Sequence, residues 1–507
     1  MEDKNSKPTI KKKRKRILPK QVFVTHVKYP AEQIEISDDI LLQLGEFADE
    51  KEIKLYAVGG YVRDYFLGRP RTDLDCTVVG DALKFAKAVA KKFNSKAVIY
   101  ERFRTAMVPI GEYHLEFVGT RKEEYKEDSR KPVVSEGTLD DDLKRRDFTI
   151  NAMAVSLNKE TMGELIDLFG GKRHLKSREL RTPLDPEITF SDDPLRMMRA
   201  ARFAAQLNFT IDEAAIKAMK KLAPRIAIIS QERITDEFLK IINSDNPSVG
   251  LELLYNSGIL HLIFRELAEL AGVEIVETDD KKFGHKDVFF HSVKVLENIV
   301  PNTNNTWLRF AALVHDIAKP RSKKFTKTHG WTFHGHEESG ARMMKGIFQK
   351  LKLPMDKLEY VEKLIRMHQR PMVLVDDGVT DSAVRRLAVK AGDDLEDLFT
   401  LVRADITTKN PNLSMKYRRN YEKVFQKVLD VQEKDKLREF QSPIKGDEIM
   451  EITGLKPCKA VGLLKENIEE AILDGIIPNE YEAAKDYFME NKRIWMNQIA
   501  DGNKEFA

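Results

Sequence analysis

The stretch Gly59-Gly60-Tyr61-Val62-Arg63-Asp64, with Gly68-Arg69-Pro70-Arg71-Thr72-Asp73-Leu74-Asp75 behind it, carries the reading of this chain. Leu55-Tyr56-Ala57-Val58 reads as a strand running into the glycine pair, and an amphipathic helix starts just after it. Glycines at such a turn let backbone N–H groups approach a phosphate chain, and the helix N-terminus adds a favourable dipole. A double glycine at a strand end is also an ordinary tight turn, so Gly59 and Gly60 alone do not decide between the two. Asp73 and Asp75 do. They stand two apart at the start of the strand Leu74-Asp75-Cys76-Thr77-Val78-Val79, so both side chains leave one face. Two carboxylates so placed repel one another unless a cation sits between them, and Mg²⁺ shared with substrate phosphates is the common solution. Glu116, on the run His114-Leu115-Glu116-Phe117-Val118, would complete a two-metal site. The competing reading of Glu116 is a solvent-facing strand residue.

Composition narrows the class. At 507 residues the chain is too long for one compact core and should divide into domains. Hydrophobic residues make up 42% and charged ones 33%, a globular balance, and no run of about eighteen apolar residues offers a membrane span. Lys and Arg total 85 against 81 Asp and Glu, so nucleic-acid contact must come from local clustering rather than overall charge. Only Cys76 and Cys458 occur, which argues against disulfides or a Cys-based zinc site and fits a reducing cytoplasm. The run Lys11-Lys12-Lys13-Arg14-Lys15-Arg16 lacks the apolar stretch of a secretory signal. It reads either as a solvated disordered tail or as an arm for RNA phosphates.

Along the chain, short apolar runs mix with helical segments from 26 to 180. Helical spacing then takes over from 181 to 272, through Leu195, Met198, Phe203 and Leu207 and again over Ile228 to Ile242. Nearly everything beyond 273 is helical in pattern. The expectation is an α/β head and a long helical body, an α+β protein.

Several segments now carry a family resemblance. Gly59-Gly60-x-Val62-Arg63-Asp64, Asp73-x-Asp75 and Arg145-Arg146-Asp147-Phe148-Thr149-Ile150-Asn151-Ala152-Met153 resemble the bacterial and eukaryotic type of tRNA nucleotidyltransferase and its poly(A) polymerase relatives. The likeness continues through Asp167-Leu168-Phe169-Gly170-Gly171 and Leu180-Arg181-Thr182-Pro183. It runs on into Asp192-Asp193-Pro194-Leu195-Arg196-Met197-Met198-Arg199-Ala200-Ala201-Arg202-Phe203, covering the first half of the chain in the family's order. The resemblance implies that Asp73 and Asp75, with Glu116, hold Mg²⁺. Gly59, Gly60, Arg63, Asp142, Arg145, Arg146, Asp147, Asn151, Arg199 and Arg202 would then line the pocket for CTP and ATP. It also implies a mobile loop over the polar run Tyr125 to Leu139, from which Arg130 and Lys131 reach the triphosphate. Asp192 stands where the family usually has Glu, and Glu116 where Asp is common; each keeps the charge.

Asp193 and Arg196 are three apart on a predicted helix, hence neighbours on one face. An intrahelical salt bridge is the plain reading. The pair also has a chemical use, since Asp only accepts hydrogen bonds and Arg only donates them. Cytosine and adenine both present an amino donor beside a ring-nitrogen acceptor, which such a pair matches. Guanine and uracil reverse both contacts and would be rejected. The resemblance assigns this template role to the same positions.

Leu308-Arg309-Phe310-Ala311-Ala312-Leu313-Val314 leads into His315-Asp316-Ile317-Ala318-Lys319-Pro320, a His-Asp doublet that resembles the HD superfamily of metal-dependent phosphohydrolases. His291, His336, His368 and Asp405 stand in order as its partners, a set suited to a divalent metal. An active phosphohydrolase and a helical body with an idle metal site both remain open. Near the C-terminus, Gly446-Asp447-Glu448-Ile449-Met450, Gly454-Leu455-Lys456-Pro457 and Gly462-Leu463-Leu464 resemble the family's RNA-binding tail. Lys456, Lys459 and Lys465 either touch phosphates there or are solvated on a helical hairpin.

The expected organisation is a basic tail over 1–25, a nucleotidyltransferase head with a small mixed sheet over 26–180 and a helical neck over 181–272. An HD domain over 273–432 and a helical tail over 433–507 follow. The expected function is template-independent addition of C and A to the 3′ end of tRNA in the cytoplasm. Poly(A) polymerase is the alternative in the same fold. Tyr100-Glu101-Arg102-Phe103-Arg104-Thr105-Ala106-Met107 lacks the glycine of the bacterial form's Gly-Arg-Arg-Phe-like segment and leans toward CCA addition. An HD phosphohydrolase with an inactive head is disfavoured by the intact Asp73, Asp75, Asp193 and Arg196. A tRNA-binding protein without chemistry would leave those carboxylates without a purpose.

Overall fold

A computed structural model describes residues 32–70, 73–101, 104–126, 129–272, 276–277, 282–283, 287–326, 330–375, 380–435 and 442–502. The basic run at 11–16 lies outside them. The head strands are β1 (Lys54–Val58), β2 (Asp73–Val79), β3 (Val98–Tyr100), β4 (Thr105–Ile110), β5 (Tyr113–Gly119), β6 (Arg121–Lys126), β7 (Ser129–Glu136), β8 (Met153–Ser156) and β9 (Leu165–Asp167). Contacts divide the chain into two units, one within Met1–Val62, Thr72–Gly119 and Met153–Asp167, the other comprising the rest.

The first unit is a seven-stranded mixed sheet in the order β3-β4-β5-β2-β1-β8-β9. Its one parallel pairing joins β2 to β5; the other neighbours are antiparallel. Strand alternation explains the layering. Leu74, Cys76 and Val78 of β2 and Leu115 and Phe117 of β5 are buried, while Asp75 and Glu116 occupy the opposite alternation. The apolar face packs on helices Asp39–Glu50 and Ala82–Lys92, where the Phe85 ring meets Phe117 edge-on at 5.6 Å and Phe47 at 5.9 Å. Each such phenyl ring stabilises the unit by about 2–3 kcal/mol through burial. Helix Ala82–Lys92 is capped by Asp81, whose carboxylate accepts from the Lys84 amide at 3.0 Å, and ends in Lys91 and Lys92, complementing its dipole. Gly59 turns β1 into helix Gly60–Phe66 at φ +68°, a conformation that a side chain would strain.

The second unit is helical apart from short strand pairs. One of these corrects the sequence reading. Strands β6 and β7 pair antiparallel, with an irregularity between Glu124 and Lys126, where a loop is expected from the polarity of Tyr125 to Leu139. Cross-strand pairing, which hydropathy does not report, decides that segment. In the largely helical body Lys324–Thr326 pairs antiparallel with Gly330–Thr332, with Phe325 against Trp331 at 5.2 Å, and Val276–Glu277 pairs with Lys282–Phe283.

A second correction concerns Asp193, which is not on a helix. Pro194 disfavours a helical conformation at the residue before it, and Asp193 is extended at φ −135°, ψ 101°, between helices Pro186–Asp192 and Leu195–Leu207. Helix Leu195–Leu207 packs on Pro247–Asn256 at Gly250, where a Cβ would come within 2.8 Å of the Ala201 carbonyl oxygen. Beyond the body, helices Gly446–Thr453, Lys459–Leu473 and Tyr481–Gly502 close over a core that includes Ile449, Leu464, Ile468 and Phe488.

Candidate functional site

In the first unit the carboxylates fall on adjacent parallel strands. Asp75 of β2 is in register with Glu116 of β5, and Asp73 is in register with His114. Asp75 is half-buried and Glu116 exposed. The Asp73 side chain lies outside the described residues. Its backbone position, two residues before Asp75, is that of alternate strand partners. Acidic donors on neighbouring strand positions form an oxygen-only set of the kind that suits Mg²⁺.

In the second unit the residues assigned to nucleotide binding form a continuous network of charges and hydrogen bonds. Helix Leu139–Lys144 opens with a capping box from Thr138 to Asp141 and carries Asp142, which is fully buried. Asp142 accepts from the Arg145 guanidinium at 2.5 Å and from Arg146 at 3.2 Å. Burial opposes its ionisation, but these two arginines outweigh that and hold its carboxyl below the ordinary range. Arg145 also pairs with Glu123 at 3.4 Å, a residue of β6 that the sequence did not single out.

Asp147 is the second anchor. One carboxylate oxygen accepts from the Phe148 amide at 2.8 Å and from Asn151 at 3.0 Å; the other accepts from Arg199 at 2.7 and 2.6 Å. Despite burial, Arg199 and Asn151 bring its carboxyl down to about 2. Asn151 in turn accepts from Arg63 at 2.9 Å, and Arg63 is paired with Asp64. Arg63 and Arg199 lie 5.4 and 5.3 Å from the Phe203 ring centre. Arg202 lies 4.1 Å from the same ring, but its guanidinium is taken by Glu237 at 2.6 Å. The structure therefore brings Asp142, Arg145, Arg146, Asp147, Asn151, Arg63 and Arg199 together, and ties Arg202 elsewhere.

No ion pair joins Asp193 to Arg196 among the described residues, so the plain intrahelical salt bridge is absent. Asp193 accepts from the Leu195 amide at 3.1 Å. Arg196, 9% exposed, donates to the Arg145 and Thr189 carbonyls at 2.5 and 3.3 Å. The two side chains are held separately, each by backbone. Arg130 and Lys131 fall in β7; their side chains lie outside the described residues.

In the body, the imidazoles are oriented one by one. His315, His336 and His368 each place Nδ1 on a carbonyl three residues back, at 2.9, 2.8 and 2.7 Å, and His291 Nδ1 meets the Thr407 hydroxyl at 3.0 Å. The four Nε2 atoms are thus turned toward carboxylates. His291 lies 3.0 Å from Asp405 and 3.5 Å from Asp316; His315 and His336 lie 3.2 and 3.1 Å from Asp316, and His368 lies 3.8 Å from it. His315 Nε2 and Asp316 Oδ1 are buried without a well-directed hydrogen bond, a donor set that fits a divalent cation. His291, His315 and Asp405 form one compact ligand group, and His315, Asp316 and His368 another. Burial works against charge on His315, but Asp316 and Asp405 overcome it and raise the imidazole to about 9. Burial and the neighbouring His315 lower His368 to about 4.

In the tail, Lys456 and Lys459 are exposed, and Lys465 pairs with Glu469 at 3.4 Å. Among the described residues no helix is long and apolar enough to cross a membrane.

An A-adding tRNA nucleotidyltransferase of Deinococcus radiodurans is 30% identical over 436 residues, 84% of this chain and 93% of the relative. The chain belongs to the tRNA nucleotidyltransferase and poly(A) polymerase family. Family models for the poly A polymerase head domain, for a probable RNA and SrmB-binding site of polymerase A and for the HD domain match this family member over 55–181, 208–270 and 287–399. The multifunctional CCA protein of Haemophilus influenzae is 33% identical over 340 residues, 62% of the chain and 75% of the relative. Among solved structures, a Thermotoga maritima CCA-adding enzyme complexed with tRNA shares the fold at TM-score 0.55 and 22% identity, over 90% of this chain and 97% of that one. The family member described here is a nucleotidyltransferase with a mixed-sheet head and helical regions behind it.

Proposed function

We propose that this nucleotidyltransferase adds C and A to the 3′ end of tRNA from CTP and ATP without a nucleic-acid template. The observation that carries the reading is the parallel register of β2 and β5, with Asp75 beside Glu116 and Asp73 two positions earlier. In this reading the terminal hydroxyl of the RNA gives up its proton to solvent and attacks the α-phosphorus; the new phosphodiester bond forms as the bond from the α-phosphorus to the α,β-bridging oxygen breaks, and pyrophosphate leaves with that oxygen. Mg²⁺ held by Asp73, Asp75 and Glu116 would supply charge neutralisation at the reacting phosphate. Arg63, Arg145, Arg146 and Arg199 would bind the triphosphate and ribose, oriented by Asp142, Asp147 and Asn151. Asp193 and Arg196 would read the base edge. Arg196 is already fixed by two carbonyls, so it would meet the incoming base with little ordering to lose.

The Deinococcus relative favours a second reading, in which the chain adds only the final A. Extension of tRNA transcripts ending before CCA, after C and after CC, each with CTP, ATP or both, separates the two. Growth that halts at CCA from all three ends supports the first reading, and extension of the CC end alone supports the second. A long A tract moves the chain to the poly(A) polymerases, and no addition from any end refutes the transferase assignment.

For the body we propose a divalent-metal phosphohydrolase centre on His291, His315, Asp316, His336, His368 and Asp405. The convergent Nε2 atoms and the orphaned Asp316 oxygen support it. Metal content of the purified protein and of His315→Ala tests it; equal content would refute the ligand set. Lys456, Lys459 and Lys465 are proposed RNA contacts, and the cytoplasm is the proposed compartment.

A further inference from the structure

A cavity of 340 Å³ opens beside the histidine–aspartate cluster, within the range that takes a nucleotide. His291 and Asp405 line it together with Lys319, Phe333, Tyr417 and Tyr421. The two tyrosines come from helix Pro411–Asp435, four residues apart and so on one face. Tyr421 is 9% exposed, whereas Tyr417 keeps 44% of its surface open. That helix begins a strongly basic stretch. Lys409 to Lys423 holds five cations, Lys409, Lys416, Arg418, Arg419 and Lys423, against one acid, Glu422, which is already paired with Arg403 at 3.0 Å. At about 100° per residue, Lys416 and Arg418 stand a little over a quarter turn to either side of Tyr417, and Lys423 lies on the Lys416 side, two turns on. All three are exposed, and no ion pair holds them among the described residues.

An unneutralised basic strip is commonly just a solvated face. Here it borders a half-exposed aromatic ring at a cavity. Stacking platform and flanking cations are the two parts of a single-strand nucleic-acid site, because every base has a π-face and every linkage a charge. An acidic peptide would use the cations but leave the ring without purpose. We propose that the first half of helix Pro411–Asp435 and the adjoining cavity bind the end of a single RNA strand, with a base stacked on Tyr417 and phosphates on Lys416, Arg418 and Lys423. The strand end then lies beside His291 and Asp405. Any reaction on it rests on the metal centre proposed above; the binding does not.

The test uses the full chain and a fluorescein-labelled hexauridylate with 4-thiouridine at its 3′ end. Ultraviolet cross-links are mapped by peptide mass spectrometry and affinity is read by anisotropy. The proposal predicts cross-links within 411–423 and about tenfold weaker binding to that face in Tyr417→Ala. It also predicts a salt slope smaller by about 2 in the triple variant K416A/R418A/K423A, from three phosphates at roughly 0.7 each. Cross-links confined to other segments, or both variants matching wild type, would overturn it. So would displacement by hexaglutamate as effective as by unlabelled RNA. Mn²⁺ binding measured on the same samples keeps the two proposals apart. Cross-linking without metal sinks the metal centre alone, and metal without cross-linking sinks this site alone.

Discussion

Replacing Asp147 by Asn keeps the side chain's shape and removes its charge. In the folded protein that carboxylate accepts from Arg199 twice, from Asn151 and from the Phe148 amide. A carboxyl held at about 2 against an ordinary 3.8 contributes about 2 kcal/mol of stability at neutral pH. Leaving Arg199 without its partner adds less, because its side chain is 35% exposed and water takes over part of the solvation. The expected loss at pH 7 is therefore about 2–3 kcal/mol. The sign of the pH dependence follows from the direction of the shift. The folded carboxyl titrates below the unfolded one, so its contribution is present above about pH 4 and lost as pH falls toward 2, with about half gone at pH 3. Amide hydrogen exchange across 147–203, in wild type and variant, reads this region without requiring the whole chain to unfold at once. A deficit under about 0.5 kcal/mol at pH 7, or one that is the same at pH 7 and pH 3, would refute the assignment of Asp147 as the buried anchor.

Three further outcomes follow from named contacts. Arg196→Ala should relax discrimination against UTP by on the order of 10² or more, as expected for loss of a buried directional contact; unchanged selectivity in competition assays would remove Arg196 from base reading. Gly45→Ala should cost about 1–3 kcal/mol, since its Cβ would fall 1.9 Å from the Leu157 carbonyl oxygen; a melting temperature equal to wild type would contradict that packing. Arg309→Lys should cost about 2–4 kcal/mol despite keeping the charge. The guanidinium spans the carbonyls of Thr303, Ile242, Ser244 and Val300, which an ammonium cannot reach together. A loss under about 0.5 kcal/mol in denaturant titration would refute it.

The head was legible where alternation and glycine boundaries coincide. β1, β2 and β5 stand where Leu55–Val58, Leu74–Val79 and His114–Val118 predict them, because Leu55 and Ala57, Leu74, Cys76 and Val78, and Leu115 and Phe117 put buried apolar side chains at alternate positions. Their pairing was not legible, since period-2 patterning says nothing about which strands are neighbours, and the Asp75–Glu116 register comes only from the fold. Pro194 carried a signal that helical spacing overrode: the residue before a proline leaves the helix, so Asp193 and Arg196 do not form a turn-to-turn pair. The β6–β7 pairing was hidden by polar composition, and with it Glu123 as a partner of Arg145. In the body, the six histidines and aspartates were visible as residue types in order. The Thr407 hydroxyl that orients His291, and Tyr417 and Tyr421 beside it, were not, because contacts across a hundred residues leave no local trace.

The central claim is that the β2–β5 carboxylates perform nucleotidyl transfer. It is tested most directly by pyrophosphate release from ATP on a tRNA ending in CC, for wild type and Asp75→Ala side by side. The account predicts release by wild type that matches A addition one to one, and a loss of on the order of 10³ or more in the variant with the fold retained. Release by Asp75→Ala within tenfold of wild type would contradict it.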